Sequence, residues 1–190
     1  MNDLPTVLFA SEALWETWLE ENFDTSQGVW LKIAKKGAEQ PSVSYPEALD
    51  VALCFGWIDG QKNKFDDQYW LQKFTPRRAR SIWSKVNQEK VATLIANGRM
   101  RDSGLKEIER AKSDGRWDAA YESQSRITMP EDLQAALDQN PDAKAFFEQL
   151  NSANRYAILH RIITAKKPET RKRNIDKFIA MLKAGEKLHP

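Results

Sequence analysis

The stretch TPRRARSIWSK, residues 75 to 85, places Arg77, Arg78, Arg80 and Lys85 beside Ser81, Ser84 and Trp83, with no acidic residue among them. Guanidinium forks and the N-terminal turn of a helix both offer donors. The chemistry open to this stretch is therefore recognition of an anion, with an indole face available for stacking. Upstream, FGWIDG contributes Trp57 and Asp59, the acid following a helix stop and preceding Gly60. Together these residues predict a cleft around Trp57, Asp59, Arg77, Arg78, Ser81, Trp83 and Asn87. In it the arginines neutralise charge, Asp59 and Asn87 fix orientation, and Trp83 stacks on the ligand. An enzymatic alternative uses Asp59 as general base beside Arg77 or Arg78, which requires those side chains to converge. A binding role is preferred to catalysis, with an anionic small molecule or a protein or peptide as partner.

A second basic cluster, AKKPETRKRNIDKF, holds Lys166, Lys167, Arg171, Lys172, Arg173 and Lys177 against Glu169 and Asp176. Arg171 stands four residues before Ile175 and so falls on the apolar stripe of the expected helix. It is expected to brace a carboxylate or carbonyl inside the fold. Through both clusters the chain could bind nucleic acid, but weakly, because its net charge is only +2.

Other chemistries lack their residues. His160, His189 and Cys54 give no metal-ligand constellation, and Asp59, Asp66 and Asp67 read as turn formers, so neither a metal nor a cofactor is expected. There is no nucleophile elbow, phosphate loop or dinucleotide fingerprint. The single cysteine excludes an internal disulfide and fits a reducing compartment. No apolar run is long enough to span a membrane, and no leader is recognised, so a cytoplasmic protein is expected.

The elements that position these groups follow from spacing. Ser11 caps a helix over residues 11 to 22. Val29, Leu31 and Ile33 alternate with Trp30 and Lys32 as in a half-buried strand, and Ser44 with Glu47 forms a capping box that opens a second helix. Two strands joined around Lys62 to Asp67 complete a small antiparallel sheet. From Ser84 onward apolar residues recur at helical spacing, ending with a helix from Pro168 to about Ala184. The expected fold is thus α+β. An N-terminal domain, 1–118, carries the sheet and the basic, tryptophan-rich site, and a helical domain, 128–190, follows a linker.

The motifs GVWL, FGWIDG, FTPRRARSIWSKVN, ANGRM and TRKRNIDK resemble the YdeI/OmpD-associated family, described as bacteriocin-protection proteins, over residues 8 to 184. The resemblance implies a role in resistance to bacteriocins or other antimicrobial peptides. It carries no catalytic residues. The positions that match its pattern are Gly56, Trp57, Asp59, Gly60, Pro76, Arg77, Arg78, Ser81, Trp83, Ser84 and Asn87, then Thr170, Arg171 and Arg173.

Overall fold

The structure, a computed structural model, describes residues 4–123 and 126–189. The chain divides into two compact units, Met1–Ala120 and Tyr121–Pro190. The expected linker includes residues 124 and 125, which lie outside the described residues.

The first unit runs β1 (Thr6–Val7), α1 (Glu12–Asn22), β2 (Val29–Ala34), α2 (Tyr45–Cys54), β3 (Trp57–Lys64), β4 (Tyr69–Pro76), α3 (Lys85–Ala96) and α4 (Asp102–Ser113). Its sheet has the order β1-β2-β4-β3. The three longer strands pair antiparallel, as their alternation predicts. The two-residue β1 adds a parallel pairing to β2, with Thr6 opposite Trp30. That strand is too short to show a period, so the mixed character of the sheet is invisible in the sequence.

Alternation on β2 buries Val29, Leu31 and Ile33 on one face. Against that face α1 lays Trp15 and Leu19, and Trp15 meets Trp57 and Phe74 edge-on or tilted at ring centroid distances of 6.3 and 5.7 Å. Trp15 also donates its indole N–H to the Ala48 carbonyl at 3.1 Å, so the one polar atom of a fully buried ring is satisfied. The α2 helix is the hub and touches α1, α3, α4 and β3. Such a helix must be apolar nearly all round, which accounts for its buried run from Ala48 to Cys54, broken at Asp50. Within it the Cys54 thiol is pushed up by burial to about 11, the behaviour of a small hydrophobe.

Helix starts match their signals. Ser11 accepts from Leu14, Ser44 and Glu47 form the reciprocal capping box, and Ser84 accepts from Asn87. Gly56, at φ +78°, turns the chain out of α2 into β3 in a conformation that a side chain would strain.

The helices of the second unit are α5 (Glu131–Asp138), α6 (Pro141–Gln149), α7 (Ser152–Ile163) and α8 (Pro168–Lys183). Leu133, Leu137, Phe147, Ile158, Ile162, Phe178 and Leu182 form its own core. Arg171 does what its place on the apolar stripe predicts. Its guanidinium donates twice to Asp132, at 2.6 and 2.9 Å, and once to the Ile162 carbonyl at 3.0 Å, tying α8 to α5 and α7. The bond from Arg171 holds the Asp132 carboxyl below the usual carboxylate range. No helix of the described residues is long and apolar enough to cross a membrane.

Candidate anion-binding site

The residues of the expected cleft fall in two places. Trp57 opens β3 with its side chain 1% exposed and its indole N–H donated to the Phe23 carbonyl at 3.0 Å, so it belongs to the core. Asp59 lies further along β3 and accepts a hydrogen bond from the Tyr45 hydroxyl at 2.8 Å. Arg77 follows β4, and its backbone N–H bonds the Gly56 carbonyl. Asp59 is three residues beyond Gly56, roughly 10 Å along an extended chain. The Asp59 carboxylate is bonded to the Tyr45 hydroxyl, and the Arg77 guanidinium donates to the Ile82 carbonyl.

Arg77 and Trp83 do come together. The guanidinium carbon of Arg77 sits 3.6 Å from the Trp83 ring centroid, and Nη1 donates to the Ile82 carbonyl at 3.4 Å. Both side chains are interior, 6% and 2% exposed. Trp117 packs tilted on the same indole at 4.9 Å, so Trp83 offers a buried N–H in place of an open stacking face. Ser81 contributes its carbonyl, which accepts from Arg116 Nη1 at 2.8 Å, while its hydroxyl accepts the Arg78 backbone N–H. The Arg78 side chain itself is exposed at the rim. Asn87 is half-buried, and its backbone N–H is held by the Ser84 cap.

What sequence motifs did not reveal is the contribution of α4 and the turn after it. Arg116 is 6% exposed, pairs with Asp114 at 2.8 Å and leaves Nη2 buried without a partner. Glu107 on α4 pairs with Arg110. Its carboxyl is raised above the usual range because burial outweighs the opposing pull of Arg110, Arg77 and Arg116. The α4 helix approaches the start of β3 closely, since a Cβ on Gly56 would lie 2.9 Å from Glu107 Cγ and 3.0 Å from the Ser103 carbonyl oxygen. Three guanidiniums thus act on one half-buried carboxylate, and Asp114 is a second acid, paired with Arg116. Trp83 Nε1, Ser103 Oγ, Arg110 Nε and Arg116 Nη2 are all buried with no acceptor. Each is a donor, and a buried donor left unpaired costs roughly 1–3 kcal/mol. Three of the four, Trp83 Nε1, Arg110 Nε and Arg116 Nη2, can only donate, so acceptor oxygens brought by a ligand would complete them. The only sequence signal was the run of arginines at 77 to 80, because Glu107, Arg110 and Arg116 sit in ordinary-looking helical and turn sequence.

In the second unit, Tyr121 and Tyr156 pack around His160 at centroid distances of 4.6 and 5.5 Å, and burial lowers the imidazole's affinity for a proton. That is a packing role. A neighbouring pocket of about 300 Å³ is lined by Met129, Phe147, Tyr156 and Leu159.

Two family models match the chain. One, described as a domain of unknown function (DUF8412), covers residues 7–107. The other, described as "Bacteriocin-protection, YdeI or OmpD-Associated", covers residues 126–185. The motifs GVWL, FGWIDG and FTPRRARSIWSKVN thus fall under the first description, and TRKRNIDK under the second. No curated protein and no solved structure matches the chain.

Proposed function

The chain belongs to the domain family DUF8412 and carries a YdeI/OmpD-associated, bacteriocin-protection domain over residues 126–185, and from that premise we propose a stress-protection protein that acts by binding an anionic ligand. The observation that carries the reading is the set of Arg77, Arg110 and Arg116 guanidiniums acting on Glu107, with buried, unpartnered donors on Arg110, on Arg116 and on Trp83, the indole that Arg77 packs against. An oxyanion such as a phosphate brings several acceptor oxygens and one or two negative charges to a site holding three guanidiniums and two carboxylates. Arginine forks suit that geometry better than lysines. The Arg110 side chain, 39% exposed, supplies the route from solvent. In this reading Arg77 and Trp83 form the floor, Arg116 and Arg110 grip the ligand, and Arg78 lies at the rim. Asp59 and Trp57 support the fold. A cytoplasmic location is part of the proposal and rests on the free, buried thiol of Cys54.

The test is thermal unfolding in inorganic phosphate and pyrophosphate against chloride at matched ionic strength. A ligand at a hundred times its dissociation constant stabilises the native state by about 2.7 kcal/mol. Wild type should rise by several degrees, and Arg110→Gln and Arg116→Lys should lose most of that rise. An unchanged wild-type midpoint, or variants that keep the full response, would contradict the proposal.

A further inference from the structure

Several basic side chains of the first unit are paired: Lys90 with Asp50, Arg99 with Glu12, Arg101 with Glu16 and Glu20. The lysines of the sheet are different. Among the described residues none of Lys32, Lys62, Lys64 and Lys73 has a salt bridge, and three of them rest on aromatic rings. Lys73 Nζ lies 5.6 Å from the Trp30 centroid, Lys32 Nζ 4.5 Å from Phe65 and Lys62 Nζ 4.0 Å from Trp70.

Strand period and register put Lys32 and Lys73 on one face of the sheet and Lys62 with Trp70 on the other. Since Val29, Leu31 and Ile33 point into the core, Trp30 and Lys32 point the other way, and pairing places Lys73 opposite Trp30 and Leu71 opposite Lys32 and Asn63. The same face holds no aspartate or glutamate at any of these strand positions; Asp66 and Asp67 stand at the hairpin turn, where Asp66 accepts the backbone N–H groups of Gln68 and Tyr69. Phe65 is 46% exposed. A groove of about 860 Å³ at the hairpin end is lined by Lys62, Lys64, Phe65 and Trp70 and also by Asp66 and Asp67; Lys62, Lys64 and Trp70 register with Gln72 and Ile33 and so belong to the opposite face of the sheet.

We propose that this sheet surface binds single-stranded nucleic acid, with bases stacked on Trp30 and Phe65 and backbone phosphates held by Lys32 and Lys73. A ring covered by a flexible lysine is a platform with its counter-charge already in place. When a base takes the ring face, the ammonium moves a few ångströms outward to the phosphate that arrives with it. A duplex keeps its base faces stacked away and cannot make this exchange. An acidic peptide would engage the lysines and leave the rings unused.

The experiment measures fluorescence anisotropy of a labelled fifteen-nucleotide oligothymidylate with the full chain at low salt. Phe65→Ala, a change at an exposed side chain, should weaken binding roughly fivefold or more. Lys32→Gln with Lys73→Gln should reduce the salt dependence of log affinity by about 1.4, at about 0.7 for each single-strand phosphate that is no longer neutralised. Far-UV circular dichroism checks that both variants remain folded, and Arg110→Gln should bind the oligonucleotide as wild type does. Absence of binding, equal affinity for a duplex or for heparin, or full affinity in the folded Phe65 variant would overturn the proposal.

Discussion

Glu107 is the residue at which the account of the arginine cluster is most exposed to a simple test. Its carboxyl is raised above the ordinary value because burial penalises the charged form more than the three guanidiniums relieve it. A folded-state value above the unfolded one means that the folded protein holds the proton longer. The contribution to stability is then complete below the unfolded value and declines as pH rises through the folded value. Glu107→Gln cannot ionise, so its melting temperature should match that of wild type near pH 4 and exceed it by a few degrees near pH 7. A gap that narrows toward neutral pH would mean that the arginines stabilise the carboxylate on balance. Sequence reading located Arg77 and Trp83 and expected the indole to stack on a ligand, whereas in the structure it packs against Arg77 and Trp117. A tryptophan in a chain with seven of them is most often core, and only the packing of Trp117 and Arg77 on its faces decides the matter. Arg171 was legible because its helical phase alone put a charge on an apolar stripe, and a buried-side arginine must find an acceptor.

Among the elements, α4 is the one whose position the site depends on, and a glycine sets that position. A Cβ on Gly104 would overlap the Cys54 carbonyl oxygen and lie 2.7 Å from Met100 Cε, so only glycine lets α4 approach the end of α2 this closely. Arg101 N–H bonds the same Cys54 carbonyl at 3.1 Å, which pins the helix start to that spot. Gly104→Ala should therefore destabilise the first unit by about 1–3 kcal/mol. Because Ser103 and Glu107 ride on the same helix, phosphate should also protect this variant less than wild type. A melting temperature within a degree of wild type would show that α4 can shift without cost. Helix starts with a serine cap were readable in advance at Ser11 and Ser44, since a short polar side chain before an apolar period is a local signal. The start of α4 was not, because Arg101 occupies the cap position with no side-chain bond and the helix is fixed by tertiary packing.

For the whole molecule, two cores of separate composition, one built on Trp15, Trp57 and Phe74 and one on Leu137, Ile158 and Phe178, correspond to two family descriptions. The α+β class and the switch to an all-helical second unit were legible, because a change from period two to period 3.6 is a property of long stretches. The division of the family resemblance was not, since motifs from two adjoining families read as one continuous pattern. The central claim is that the first unit binds an anion through buried donors of Trp83, Arg110 and Arg116. The most direct measurement is a titration of inorganic phosphate followed by proton–nitrogen correlation of indole and guanidinium N–H groups. The account predicts saturable shifts of the Trp83 indole and the Arg110 Nε–H signals, with the Trp15 and Trp57 indoles, already bonded to carbonyls, unmoved. Phosphate that leaves the Trp83 and Arg110 signals in place would contradict it.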